Sequence, residues 1–356
     1  MKLEASGGRF TFKSERVLES FVYLLKDVVV DNDFFTYSDT DMVFFEGSTN
    51  EYFSDNVWIS KRLKLHRDLG FPSSKCTLIS DELVHYINES PVEVCEEDNY
   101  FFIYDYPWGE NYQHWLITSL SRLALFIELK ASYPNIKLLH HRDSKSFKRE
   151  ALLLFGIENS DIVDHSGSVR YKNIILPSFP SCCGLEVSKS ALRMFNHISE
   201  STPKEKNDSS HKIYLARDDS NGKRPLSNRK ELDTLLKEKG FEKVYLEELS
   251  FENKVRLFST AEVVIGDFSA GWGHVVFCKP GVKLLLLEHD IFKFDAFYRG
   301  ISNSIGATFE SFSSLSLTRK IYLYILKLKW INAKTVDKSA NSIPWKVDVG
   351  RLEKLL

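Results

Sequence analysis

"EVVIGDFSAGWGH" (residues 262–274) decides how this chain reads. Val263, Val264 and Ile265 form a short continuous apolar run that leads into Gly266, Gly271 and Gly273, with Ser269 and Ala270 between them. An apolar run bounded by glycine fits a strand buried on both faces. Small residues after such a strand let backbone amides approach a ligand, and a following helix N-terminus favours anionic groups such as phosphate. The spacing is neither a Walker A loop nor G-x-G-x-x-G. By itself the stretch is equally a phosphate-binding turn or a tight strand-to-helix turn.

The surroundings alternate strand and helix. Upstream lie strand "KIYLAR" (212–217), helix "NRKELDTLLKEKG" (228–240) closing on Gly240, strand "EKVYLE" (242–247) and helix "SFENKVRLFSTA" (250–261); strand "VKLLLLE" (282–288) comes after the turn. Ser250 is placed to cap its helix, with Asn253 three residues on in a weak capping box. The polar segment "NHISESTPKEKNDSSH" (196–211) has almost nothing to bury and reads as a linker. Before it the alternation already runs: strand "NYFFIYDY" (99–106), a helix over 111–131, strand "IKLLHH" (136–141), a helix ending near Gly156 and strand "RYKNIILP" (170–177). In the first hundred residues, "VVVDNDFF" and "DMVFFEG" look like short strands and "ISDELVHYINES" (79–90) like a short helix.

Alternation of this kind predicts parallel sheets flanked by helices. The expected fold is α/β, with two Rossmann-like doubly wound domains facing a cleft and ligands at the carboxyl ends of the strands. Residues 1–100 would join the first domain, 101–205 would form its α/β core, 206–330 a second α/β domain, and 331–356 a tail packing back.

Composition narrows the class. With 43% hydrophobic and 27% charged residues, the 356-residue chain has the balance of a soluble globular protein. A formal net charge of -2 supplies no global field for nucleic acid, so no nucleic-acid partner is expected. The five cysteines are scattered without a C-x-x-C pair, which argues against a zinc site or disulfide scaffold and for a reducing compartment. No signal-peptide pattern opens "MKLEASGGRFTFKSER" and no run approaches membrane-spanning length. A cytoplasmic protein is expected.

Arg217 ends strand 212–217, and Arg224 and Asn228 lie in the loop behind it. An arginine at a parallel strand's carboxyl end points to where a diphosphate would lie, and its fork binds phosphate oxygens. A surface ion pair with Asp218 or Asp219 is the competing reading. Glu288, at another strand end, either accepts hydrogen bonds from ribose hydroxyls or is a solvated charge.

Taken in order, "HKIYLARDDSNGKRPLSN", the "GF" before strand 242–247, "LSFENKVRLFSTA", "GDFSAGWGH" and the upstream "NYQHWL" (111–116) resemble glycosyltransferase family 61. The closing "IPWKVDVGRLEKLL" is similar to the tail of its bacterial members. The resemblance covers roughly residues 100–310 plus this tail and implies a GT-B-type, inverting, metal-independent glycosyltransferase without cofactor. It would use a nucleotide-diphosphate sugar, with a UDP-sugar as the expected donor, to extend a glycan or lipid-linked glycan acceptor in surface (capsular) polysaccharide biosynthesis. "DTD" at 39–41 precedes the organised core and is discounted as a metal motif. Arg217, Arg224, Asn228, Gly266, Ser269, Ala270, Gly271, Gly273, His274 and Glu288 would bind the donor. Two departures stand out: Phe268-Ser269 replace the family's His-Gly, and His274 stands at its Asn.

On a helical wheel Asn111, His114, Thr118, Ser121 and Arg122 share one side, a mostly uncharged polar stripe suited to lining a cleft. His114 is then the candidate base for the acceptor hydroxyl. Many family members carry an acidic residue where this chain has Thr118, so Asp105 and Glu110, just upstream, are further catalytic candidates. Asn111, Thr118 and Arg122 would face the acceptor.

Other features read more plainly. His140 and His141 point to opposite faces of their strand, make a poor metal pair and are expected at the surface. "TRKIYLYILKLKW" (318–330) mixes basic and apolar residues, as in a segment touching the inner face of an anionic membrane or an ordinary helix between domains. Two alternatives stand beside the transferase: a nucleotide-sugar hydrolase or epimerase on the same scaffold, and a non-catalytic scaffold subunit.

Overall fold

The computed structural model describes residues 9–12, 20–32, 36–37, 43–44, 76–78, 84–86, 91–105, 111–177, 181, 186–203, 211–217, 225–288, 295–313 and 344–356. The 318–330 segment, Glu110 and Arg224 lie outside them. The chain divides into two compact units, Met1–Met194 and Phe195–Leu356.

The first unit is built on β1 (Arg9–Phe12), β2 (Ser20–Val30), β3 (Thr36–Tyr37), β4 (Val43–Phe44), the hairpin β5 (Cys76–Leu78) and β6 (Val84–Tyr86), β7 (Val92–Val94) and β8 (Phe101–Ile103). Then come helix α1 over 112–132, β9 (Lys137–His141), α2 (Ser146–Leu154), β10 (Ile162–His165) and β11 (Ser168–Pro177). The main sheet runs β10-β9-β8-β11-β2-β3-β4, with β1 on β2 and β7 on β11. Strands β10, β9, β8 and β11 are parallel, whereas β2 joins β11 antiparallel from Val169↔Val30 to Pro177↔Val22. The expected all-parallel first sheet is therefore corrected to a mixed one. Its physical source is the N-terminal hundred residues, whose strand β2 lies antiparallel along β11. The helix expected over 79–90 is also corrected: Val84–Tyr86 is a strand, paired Cys76↔Tyr86 to Leu78↔Val84. Its Val-His-Tyr core favours a pleated backbone, and twelve residues hold too few helical repeats to outweigh a partner strand.

Helix α1 is buried almost all round, with Trp115, Leu116, Ile117, Leu120, Leu123, Leu125, Phe126 and Leu129 in the core. Phe102 meets Phe126 edge-on at 5.5 Å, seating the helix on the sheet. On the sheet's other face Val28, Val30, Phe101, Ile103, Leu139, Tyr171, Ile174 and Leu176 form one cluster. Helix α3 (Lys189–Ser201) crosses the division between the units, so 196–201, read as linker, is helical.

The second unit contains β12 (His211–Leu215), α4 (Arg229–Glu238), β13 (Glu242–Val244), α5 (Phe251–Thr260), β14 (Ala261–Asp267), a 3-10 helix (Ala270–Phe277) and β15 (Lys283–Glu288). After these come α6 (Asp295–Ile305), β16 (Thr308–Ser313) and α7 (Val349–Glu353); α6 and β16 carry no signal that was read from the sequence. Ser250 caps α5, its hydroxyl accepting from Asn253 N at 3.2 Å, while the Asn253 side chain accepts from Arg256 instead of closing the box. Gly240 ends α4 at φ 80°, a conformation that costs glycine nothing.

All five strands are parallel in the order β13-β12-β14-β15-β16. In chain order this is 2-1-3-4-5, a doubly wound sheet whose order reverses between β12 and β14. Alternation along the strands sends Tyr214, Ile265, Leu285, Leu287 and Phe312 to one face, where they pack with Leu232, Leu235 and Leu236 of α4 and Trp345, Val347 and Leu352 of the tail. Ile213, Leu215, Val264, Leu284 and Leu286, of opposite parity, are buried on the other face.

Candidate functional site

Ligands of doubly wound sheets bind outside the carboxyl ends of strands where the order reverses. Here that point lies between Leu215 and Gly266, which are paired in register, and Gly266 is paired in turn with Leu286. Arg217 follows β12 by two residues, Phe268 follows β14 directly and Glu288 is the last residue of β15, so the three stand at the carboxyl ends of three neighbouring strands. Arg217 is half-buried, and Glu288 is only 4% exposed, which excludes the reading of a solvated strand-end charge.

The glycine turn divides its labour. A Cβ on Gly266 would lie 2.5 Å from the Leu215 carbonyl oxygen, so this glycine lets β14 close on β12. A Cβ on Gly271 would meet only the tip of Leu246, at 2.4 Å. Ser269 precedes the 3-10 helix in extended conformation without a side-chain capping bond, Ala270 and Gly271 are half-buried, and Gly273 is buried. His274 is fully buried. Its Nδ1 lies 3.0 Å from the Gly271 carbonyl, and its ring stacks on Phe258 and tilts against Phe251 and Phe277. Burial lowers its pKa to about 3, so it is a neutral core histidine. Asn228 is held too: its Nδ2 donates to Val347 O at 2.8 Å and to Glu231 at 3.0 Å, and its Oδ1 accepts from Val347 N at 3.0 Å. It clasps the tail to the loop behind β12.

A neighbouring ion pair went unread in the sequence. Arg229 Nη1 lies 2.6 Å from Asp267 Oδ2 and donates to the Tyr214 hydroxyl at 2.7 Å. Burial raises the Tyr214 pKa, keeping that hydroxyl protonated. The signal was position alone, since Asp267 follows Gly266 and Arg229 follows Asn228.

In the first unit Asn111 caps α1, its Oδ1 accepting from Gln113 N at 3.1 Å and His114 N at 3.4 Å. His114 is half-buried in the first turn, but the polar stripe does not run on from it. Residues Trp115–Ser119 are π-helical and Leu120–Arg122 is a 3-10 turn, so a wheel of fixed α-helical period misplaces the residues beyond His114. Thr118, Ser121 and Arg122 are buried, at 1%, 0% and 0% exposure, and Ser121 donates to the Thr118 carbonyl at 2.8 Å.

These residues join a polar network at the carboxyl ends of β8 and β9. Asp105, 3% exposed, accepts from Ser119 Oγ at 2.7 Å and pairs with Lys148 Nζ at 3.0 Å; Arg122 Nη1 donates to the Asp105 carbonyl at 2.9 Å. Lys148 shares the buried side of α2 with Ala151 and Leu152, and its place on that apolar face was the readable sign of a buried partner. The surface position expected for His140 is corrected. It is buried, with Nδ1 2.9 Å from the Tyr104 hydroxyl and Nε2 2.7 Å from Ser144 Oγ, because tertiary packing closes over the end of β9. Burial lowers its pKa to about 4.

These features define an α/β protein with one mixed and one parallel sheet, consistent with an α/β glycosyltransferase fold. Residues 112–285 match the family model Glycosyltransferase 61, and this similarity supports glycosyltransferase activity. No curated protein matches the chain. The matched span includes His114, Arg217 and the glycine turn and stops before Glu288. A glycosyltransferase takes its sugar from a nucleotide-sugar donor and passes it to a glycan acceptor.

Proposed function

We propose that the chain is an inverting, metal-independent glycosyltransferase of bacterial surface (capsular) polysaccharide biosynthesis. It takes a sugar from a nucleotide-diphosphate donor, a UDP-sugar, and extends a glycan or lipid-linked glycan at the cytoplasmic side of the inner membrane. In this GT-B reading the second unit holds the donor and the first the acceptor. The observation that carries it is the reversal of a 2-1-3-4-5 sheet, with Arg217 just past the end of β12 and the buried Glu288 at the end of β15, on either side of β14 and its glycine turn.

His114 takes the proton from the acceptor hydroxyl, and that oxygen attacks the anomeric carbon. The bond to the diphosphate breaks on the opposite face, which inverts the configuration. Arg217 pairs with the departing phosphate oxygens, and fixed positive charge of this kind is often the largest catalytic term. Glu288 accepts from ribose hydroxyls. Asp105 and Arg122 act through the fold, holding β8 to the start of α1.

The test is a thermal-shift screen of UDP, GDP, CDP, ADP and CMP, with and without magnesium, on wild type and Arg217→Ala. A rise with one diphosphate, independent of magnesium and absent in the variant, is expected. No rise with any nucleotide refutes the donor site. Product analysis with and without acceptor then separates transfer from hydrolysis.

A further inference from the structure

We infer that Arg229 is a positioning residue of the donor site: it offsets the charge of Asp267, so that the end of β14 admits an anionic diphosphate. The inference rests on the donor-site reading of the second unit and adds to it a residue that acts through another, without touching the ligand.

One guanidinium joins three elements around the reversal. Arg229 opens α4, Asp267 is the last residue of β14 and Tyr214 lies on β12. Arg229 Nη1 lies 2.6 Å from Asp267 Oδ2 and donates to the Tyr214 hydroxyl at 2.7 Å. Tyr214 is paired with Ile265, so alternation carries Asp267 to the same face of the sheet. The main chain of Asp267 is held as well, its carbonyl accepting from Trp272 Nε1 at 2.9 Å. Asp267 is therefore fixed by side chain and backbone at the point where the chain enters the glycine turn.

An acid suits this anchoring but not an anionic ligand. The Asp267 side chain is 4% exposed, so solvent screens its charge little. At an effective dielectric of about 20, a carboxylate roughly 10 Å from one phosphate charge weakens binding by about tenfold or more. The donor-site reading puts a diphosphate at this end of the sheet. Paired with Arg229, Asp267 ties the turn to β12 and α4 without presenting a net negative charge there. One turn along α4, Asp233 is matched in the same way, with Lys243 Nζ at 2.7 Å.

Breaking the pair from its two sides then has opposite results. Arg229→Gln takes away the positive charge and keeps the acid, whereas Asp267→Asn removes the acid and keeps the guanidinium. Calorimetric titration of the full chain with UDP, GDP, CDP, ADP and inorganic pyrophosphate tests this on wild type, both single variants and the double variant. Arg229→Gln should weaken the preferred nucleoside diphosphate and pyrophosphate by at least about tenfold. Asp267→Asn should bind both at least as tightly as wild type, and the double variant should recover most of the loss seen in Arg229→Gln. Equal weakening in the two single variants overturns the inference, because the pair then only braces the turn. Should Arg229→Gln not fold, Asp267→Asn decides: loss of pyrophosphate binding there overturns the inference. Unchanged binding in a folded Arg229→Gln overturns it while leaving the donor site intact. Absence of any nucleotide binding by wild type overturns the donor-site reading and the role of Arg229 with it.

Discussion

Lys148→Met puts the network of the first unit under test. The Lys148–Asp105 pair spans 3.0 Å with both side chains 5% exposed, and the ammonium lies 5.9 Å from the Trp115 ring centroid. Methionine fills the lysine stem but takes the Lys148 charge away from the buried Asp105 carboxylate. Breaking a buried pair from one side costs about 3–5 kcal/mol. In a unit of this size each kcal/mol moves the midpoint by about 2–4 °C, so a fall of roughly 6–20 °C is expected by circular dichroism. The double variant Asp105→Asn/Lys148→Met removes both charges together and should recover much of the loss, because no unpaired charge stays buried. A shift under about 2 °C for Lys148→Met would show the pair to be solvated and refute the reasoning. The double variant also separates two roles for Asp105. If the carboxylate only braces β8 and α1, a folded double variant keeps its turnover, whereas a proton-accepting Asp105 would leave it folded and inactive.

His114→Gln should lower kcat by about 10²–10⁴-fold with donor affinity unchanged, the scale of a lost general base; an unchanged kcat in steady-state assays assigns the proton elsewhere. Acid should unfold the protein through His140 and His274, whose folded pKa values of about 4 and 3 lie below the ordinary value. The unfolded chain binds the proton first, so their contribution is intact above about pH 6.5 and falls by up to roughly 1.4 kcal/mol per pH unit for each group below it. Urea midpoints against pH would show this, and His274→Phe should flatten the lower part of the curve. Gly266→Ala sets a methyl against the Leu215 backbone and should cost at least about 1–3 kcal/mol, while Gly271→Ala displaces only a leucine tip and should cost less; equal midpoints contradict the close approach of β12 and β14. Asn228→Ala strands the Val347 N–H and carbonyl, both at a fully buried residue, and should destabilise the second unit by about 2–4 kcal/mol, with faster amide exchange over the tail as the readout.

The sequence by itself determined the strands and helices of the second unit from β12 to β15, because their signals are local. Buried parallel strands read as apolar runs, Gly240 closes a helix that only a left-handed residue ends well, and Ser250 caps the next. Arg217 and Glu288 were legible as strand-end residues for the same reason. Only the tertiary structure decided the pairing of strands and the burial of polar groups. The antiparallel return of β2 makes the first sheet mixed, and the hairpin at 76–86 replaces a helix, since strand pairing depends on partners distant in the chain. The π-helical turn moves Thr118, Ser121 and Arg122 inward, which no wheel of fixed period can anticipate. His140 and His274 became neutral interior groups, and Asn228 a clasp on the tail, because desolvation and hydrogen-bond partners are assigned by the packed fold. The placing of Arg217 and Glu288 belongs to the same level. Each residue is visible in the chain, but only the strand order sets the ends of β12 and β15 on either side of β14.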